Sequence, residues 1–398
     1  MHPSLLKLKA YPFERLKDAL ANISPPRNTT HLSFSIGEPK HRFPSFLKQV
    51  LNDSIHGFNY YPSIKGTEYF RQAAADWLIT RYGLDSNAID IDSNILPING
   101  SREGLFAFTQ FRIDPTKDPL IVTSNPFYQI YEGAAIIAGA RIKFINSVAE
   151  NNFSPDFSRI SENEWRRCQI LHLCSPNNPT GTVLSIEQIT EAIELALKHD
   201  FTIVSDECYS EIYLDEDFPP PGLLEVCKKI GNDKFKNCIV FHSLSKRSNV
   251  PGLRSGIVTG DAELITQFLR FRTYHGSSMS PTVQMISEAL WQDETHVLEN
   301  RTHYRNKFSA VIEILKPIMS FPDPKASFYL WPKTPIDDIA MTRDLYSKQN
   351  LTVLPGQFMS RHSDGTNPGR NRLRLALVAP VAECREGANR IASYIKEL

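Results

Sequence analysis

The chain has no Cys-x-x-Cys pair, no His-Glu-x-x-His or His-x-His arrangement, and no Gly-x-Gly-x-x-Gly fingerprint. Those gaps exclude the usual zinc frameworks, so no metal site is expected, and they argue against a dinucleotide-binding turn. Six cysteines follow no regular framework and several sit in apolar runs, so they are read as reduced core residues. No apolar stretch approaches the roughly 20 residues needed to cross a bilayer. The most apolar runs, such as Ala134 to Ala138 and Ile239 to Phe241, are far shorter. An excess of one charge is missing too. Lys plus Arg and Asp plus Glu both number 44, which leaves no electrostatic footprint for nucleic acid or a membrane surface. Met1-His2-Pro3-Ser4 does not open a signal peptide, so the cytoplasm is the expected compartment.

What remains is an ordinary folded composition, 41% hydrophobic and 22% charged, in a chain long enough for a large domain and a smaller one. Short apolar runs alternating with amphipathic stretches predict an α/β fold, a mostly parallel sheet covered by helices. Candidate strands cover Ile95–Ile98, Leu120–Thr123, Ile142–Ile145, Ile170–Leu173, Thr202–Ser205, Ile239–His242 and Gly256–Thr259. A capping box, Ser185-Ile186-Glu187-Gln188, opens a helix along which Ile189, Ile193, Ala196 and Leu197 recur at helical spacing. From about Pro281 the rhythm changes to a long helix over Glu288–Leu315, then strands at Ser327–Leu330, Thr352–Leu354 and Leu373–Val378. The expected organisation is an N-terminal segment, 1–40, belonging with a C-terminal small domain, 285–398, around a large domain at 41–284.

Ligands of open parallel sheets collect beyond the carboxyl ends of the strands. There the chain carries Ser175-Pro176-Asn177-Asn178-Pro179-Thr180-Gly181, then Asp206-Glu207-Cys208-Tyr209, then Ser243-Leu244-Ser245-Lys246, followed by Pro251-Gly252-Leu253-Arg254-Ser255-Gly256. A lysine at a strand end, desolvated and near a cation, has a lowered pKa and can condense with an aldehyde. Lys246 fits, with Arg254 close in sequence. Asp206 follows the apolar run Thr202-Ile203-Val204, where an unpaired acid would be costly to bury. Asn99-Gly100-Ser101-Arg102-Glu103-Gly104 follows a strand and opens a helix, a generic anion device. Asn178 on its own could also be a turn residue before Pro179.

In this order and spacing the segments resemble the class I and II aminotransferases of pyridoxal-5'-phosphate fold type I. The likeness runs from Ser35-Ile36-Gly37-Glu38-Pro39 to Asn371-Arg372-Leu373-Arg374. It implies a seven-stranded, mostly parallel sheet sandwiched by helices, plus a small α+β domain built from both termini. It also implies pyridoxal 5'-phosphate bound covalently by Lys246, the catalytic base and acid, with Asp206 facing the pyridine nitrogen. Asn178 and Tyr209 would bond the phenolic oxygen. Tyr128 would stack on the ring, Phe127 being the competing aromatic. The phosphate would be held by Gly100, Ser101, Ser243, Ser245, Arg254 and the backbone amide of Arg102. Arg374, with Gly37 and Asn178, would take the substrate carboxylate. Tyr61, or Tyr60 if the register slips by one, would reach the phosphate of a neighbouring subunit, implying a homodimer with shared sites.

Within the family, Ser35 to His41, Tyr61 to Thr67, Val353 to Gly356 and Asn367 to Arg372 resemble the bacterial N-succinyl-L,L-diaminopimelate aminotransferases of lysine biosynthesis. The resemblance implies exchange of an amino group between glutamate or 2-oxoglutarate and that succinylated amino acid. Aspartate, aromatic and alanine aminotransferases and C–S β-lyases share the cofactor residues. Glutamate and the succinylated substrate both carry a carboxylate remote from the amine, so a second cation is expected from Lys40, Arg42, Lys65, Arg370 or Arg372.

Overall fold

The computed structural model describes residues 3–398, so Met1 and His2 of the opening tetrapeptide lie outside the described residues. A two-residue strand, β1 (Leu32–Ser33), precedes seven longer ones: β2 (Ile95–Ile98), β3 (Leu120–Asn125), β4 (Arg141–Asn146), β5 (Cys168–Cys174), β6 (Thr202–Asp206), β7 (Cys238–Ser243) and β8 (Gly256–Gly260). These seven form one sheet in the order β2-β8-β7-β6-β5-β3-β4. β8 runs antiparallel to both neighbours, β2 and β7; the remaining pairings are parallel. Every residue of β6, β7 and β8 is buried, because helices cover both faces; that is why these strands are continuous apolar runs. Two clusters pack on the sheet, one around Trp77, Leu171 and Trp291 and the other around Phe108, Phe241 and Phe268. All seven central strands match the candidate runs, most of them extended by a residue or two. The capping box at Ser185 opens the helix Ile186–His199, its hydroxyl accepting from Gln188 N.

The C-terminal third departs from expectation at several points. Instead of one helix over Glu288–Leu315 there are two, Pro281–Gln292 and Thr295–Leu315. The break falls at Asp293, which is extended (φ −101°, ψ 122°) and whose carboxylate accepts from His296 N at 3.0 Å. It therefore acts as a cap, a role that apolar periodicity does not disclose. The predicted strand Thr352–Leu354 is two strands, β10 (Leu351–Thr352) and β11 (Leu354–Pro355), in different sheets. β10 pairs in parallel with β1, while β11 and β9 (Tyr329–Leu330) flank β12 (Leu373–Ala376) in antiparallel. β9 starts two residues late because Ser327 has φ +65°. Leu32 and Phe34 lie in the same apolar cluster as Phe308, Leu330, Leu373 and Ile391, tying the N-terminal segment to the C-terminal one. No helix among the described residues is long and apolar enough to cross a membrane.

Candidate active site

A cavity of about 530 Å³ opens at the carboxyl ends of β5, β6 and β7. Lys246 sits on its floor, on the helical turn Leu244–Arg247 that follows β7 and is capped by Ser243, whose Oγ accepts from Ser245 N at 3.2 Å. The Lys246 Nζ donates to Gly37 O at 2.6 Å and lies 5.2 Å from the Phe328 ring centre. Burial pulls this amine down to about 8, helped by the guanidiniums of Arg374 and Arg254 and opposed by Cys208 and Glu38. A neutral amine is thus accessible near neutrality.

Asp206 closes β6 and is buried. The Tyr131 hydroxyl donates to its Oδ2 at 2.8 Å, and Tyr131 stacks on His172 with ring centres 4.4 Å apart. Burial raises the Asp206 pKa against the hydrogen bonds that lower it. No ion pair reaches this carboxylate among the described residues, so the site is chemically suited to a ligand that brings a positive group. Across the cavity, Arg374 on β12 is buried, donating from Nη1 to Asn178 Oδ1 at 3.1 Å and from Nη2 to Ser35 O at 2.5 Å. It lies 4.7 Å from the Tyr329 ring centre, and its Nε has no partner. Tyr209 and Tyr329 join hydroxyl to hydroxyl at 2.9 Å.

An anion cradle lies at one end. Gly100 has φ +80° and caps the helix Ser101–Arg112 without a side-chain bond, leaving the first N–H groups of that helix for another acceptor. A Cβ at residue 100 would stand 2.3 Å from Arg254 Nη2, so only glycine allows this approach. Arg254, itself left-handed at φ +56°, is held by Pro251 O at 2.9 Å and Asn99 O at 3.3 Å. Ser243 and Ser245 bond to each other at 2.9 Å, and Cys208 Sγ donates to Ser101 Oγ at 2.9 Å. Converging N–H groups, hydroxyls and a guanidinium suit a phosphate; a nearby amine suits an aldehyde; a buried carboxylate suits a pyridinium.

Of the two candidate aromatics, Phe127 is fully buried and stacked on Phe144, whereas Tyr128 lines the cavity. Arg102 also lines it with its side chain, Nε donating to the Tyr128 hydroxyl at 2.7 Å. Tyr61 is fully exposed and Tyr60 largely so, and neither lines this chain's own cavity. None of the five proposed second cations lines the cavity. Lys65 pairs with Asp92 at 2.6 Å. Arg372, bridged to Lys333 just before β12, lies over the Phe153 ring and donates to Trp331 O. Sequence reasoning missed Tyr11, Phe13, Glu38, Tyr131 and Tyr329. The first two open the helix Pro12–Leu20 and wall the cavity, and their only signal was an aromatic pair beside a helix start.

The sequence pattern of the family described as aminotransferase class I and II matches residues 29–391. An LL-diaminopimelate aminotransferase from Dehalococcoides mccartyi is 31% identical over 374 residues, covering 91% of each chain. Among solved structures, an aminotransferase from Neisseria meningitidis superposes with a TM-score of 0.95 at 47% identity, covering 99% of this chain and 100% of that one. A probable N-succinyldiaminopimelate aminotransferase from Thermus thermophilus does so at 0.85 with 26% identity, covering 96% and 99%.

Proposed function

Since the chain belongs to the class I and II aminotransferases, enzymes that use pyridoxal 5'-phosphate, we propose that it exchanges an amino group between glutamate or 2-oxoglutarate and N-succinyl-L,L-diaminopimelate. The cofactor, once bound, supplies the aldehyde that takes up the amino group and a ring that delocalises the electron pair leaving Cα. Gly100, Ser101, the Arg102 amide, Ser243, Ser245 and Arg254 would hold its phosphate. Asp206 would serve its ring nitrogen, Asn178 and Tyr209 its phenolic oxygen, and Tyr128 one ring face. Arg374, with Gly37 and Asn178, orients the substrate α-carboxylate. Lys246, with its lowered pKa, would carry the proton from the substrate Cα to the cofactor's C4' position. Tyr11 and Phe13 limit water at the mouth.

The observation that carries the substrate reading is that the cavity is lined by Arg102 as well as by Arg374. With Arg254 given to the phosphate and Asp206 to the ring nitrogen, Arg102 and Arg374 are the guanidiniums left for the substrate, and Glu38 is the remaining acid on the cavity lining. N-succinyl-L,L-diaminopimelate carries three carboxylates and one ammonium, which suits that excess of positive charge. Free L,L-diaminopimelate, favoured by the name of the Dehalococcoides relative, is the second reading; its distal ammonium would need Glu38. Half-reactions followed by cofactor absorbance, with glutamate, both diaminopimelates, aspartate, alanine and phenylalanine, decide between them. The expected result is fast conversion by glutamate and the succinylated form, with Arg102→Met about ten-fold slower in kcat/KM for these two alone. Faster conversion by aspartate or phenylalanine would overturn the reading.

Two structural expectations belong to the same proposal. The stretch Leu32–Phe34 packs with the C-terminal part as a small domain, whereas the turn Pro3–Lys7 lies against the large-domain helix Ile130–Ala138; the second boundary is best drawn at the Asp293 break, since helix Pro281–Gln292 packs in the Trp77 cluster. A homodimer with shared sites accounts for the exposed Phe43, Ile55, Phe58 and Tyr61, which lie on one stretch of chain; Tyr61 would then serve the neighbouring cavity.

A further inference from the structure

Two stretches that adjoin the cofactor site, Pro39-Lys40-His41-Arg42 after Gly37 and Arg247-Ser248-Asn249 after Lys246, meet at one side chain on a third element. Asn300, on the helix Thr295–Leu315, is 5% exposed. Its Nδ2 donates to Lys246 O at 3.0 Å and Arg247 O at 3.3 Å, and its Oδ1 faces His41 Nδ1 at 3.0 Å. The two carbonyls fix the orientation of the amide, because the flipped form would set an oxygen against both. His41 must therefore carry its proton on Nδ1 and donate it. Burial brings the His41 pKa down to about 4, so the ring stays neutral and the direction of this bond holds over the working pH range. His41 Nε2 is buried with no partner, and the ring packs between His303 and Tyr304 at 4.6 and 4.9 Å. Asn249 Nδ2 reinforces the junction by donating to His41 O, and to Arg42 O at 3.2 Å.

The same stretch of chain, four residues upstream, supplies Gly37 O, the acceptor of the Lys246 amine at 2.6 Å. Lys246 is thus gripped at both ends: its carbonyl by Asn300, and its ammonium by the segment that His41 anchors to Asn300. We propose that Asn300 and His41 are positioning residues that set the distance between Lys246 Nζ and the Gly37 wall of the cavity. Neither touches the reacting atoms. The structure carries this through geometry: a single amide ties three elements, the Gly37–Arg42 segment, the turn after β7 and the helix Thr295–Leu315, at the backbone of the lysine.

The inference rests on Lys246 being the proton-carrying amine, and it makes an atom-specific demand. An asparagine at 41 presents its amide nitrogen near the place of Nδ1, whereas a glutamine presents it near Nε2. His41→Asn should keep the bond to Asn300 and His41→Gln should lose it, although both remove the same ring and its packing. The test compares wild type, His41→Asn, His41→Gln, Asn300→Leu and Lys246→Ala. The readouts are kcat and KM for the glutamate half-reaction and, in cofactor-free protein, the rate of Lys246 acetylation by acetic anhydride. His41→Asn is expected within about two-fold of wild type; His41→Gln and Asn300→Leu should lower kcat roughly ten-fold with little change in KM and alter the acetylation rate of the free amine. Equal behaviour of His41→Asn and His41→Gln, or a better Gln than Asn variant, would overturn the relay. Residual full turnover in Lys246→Ala would instead remove the assignment of Lys246, and the relay with it.

Discussion

The amine of Lys246 offers the most direct measurement. In a solvated lysine it titrates near 10.5; in this cavity burial and two guanidiniums bring it to about 8. That difference amounts to about 3 kcal/mol between the charged and neutral forms. At neutral pH it raises the neutral fraction from about one in three thousand to about one in ten, a gain of roughly 300-fold in available nucleophile. Brief acetic anhydride pulses on cofactor-free protein, from about pH 6 to about pH 11, with the Lys246 peptide quantified by mass spectrometry, give the midpoint directly. It should fall near 8. The causes predict shifts of opposite sign: Arg374→Gln removes a repelling cation and raises the midpoint, whereas Glu38→Gln removes an attracting anion and lowers it further. A wild-type midpoint of about 10 or more, or two variants shifting in the same direction, would refute the electrostatic account.

Asp206→Asn should keep the fold and a thermal midpoint no lower than wild type without cofactor, since it removes a buried carboxylate with no ion pair, yet lose about a hundred-fold or more in kcat; near-normal turnover would count against its placement opposite the ring nitrogen. Gly37→Ala places a Cβ 2.2 Å from Tyr329 Oη and 2.9 Å from Phe328 Cε2, both on buried side chains, and should cost about 1–3 kcal/mol in urea unfolding together with activity. Gly133→Ala, with open space around it in a helix, should be neutral or stabilising, and an equal loss in both would refute the steric argument. Burial pushes Glu207 up to about 7, against bonds from Leu223 N and the Tyr82 and Ser205 hydroxyls. The folded state then holds a proton that the unfolded chain has released, so this contribution is full below about pH 4.5 and is lost as pH rises through about 7. Stability relative to Glu207→Gln should decline across that window, and parallel pH curves would exclude it.

The central sheet was legible because buried parallel strands are short, apolar and punctuated, and because the residues after β5, β6 and β7 stand together in any such sheet. Lys246, Asp206, Asn178 and Tyr209 come together on one cavity for that reason. Arg374 could be singled out from its alternating neighbours only by resemblance; in the fold Arg372 meets Phe153 and Trp331, whereas Arg374 is buried against Asn178 and Ser35. What stayed hidden depends on distant pairing. Val353 was read as the middle of one strand, yet the chain there leaves β10, paired to residues more than 300 positions earlier, for β11, paired to β12. Tyr131 meets Asp206 across 75 positions, Tyr11 walls a cavity built mostly from the middle of the chain, and Asp293 interrupts a helix by capping the next one. Except for Asp293, whose partner His296 is three residues on, no local window of sequence contains both partners of those contacts.

The parallel pairing of β1 with β10, and the bond from Ala376 N to Phe34 O, have a temporal meaning. The wall carrying Ser35 to Glu38 is made first at the ribosome but gains its place only when β10 and β12, almost the last segments synthesised, emerge to receive it. Until then Lys246 has neither the Gly37 carbonyl nor the Arg374 guanidinium beside it. The side of the cavity that would orient a substrate carboxylate is thereby completed last, so a chain truncated before β12 keeps Lys246, Asp206 and the anion cradle but lacks Arg374.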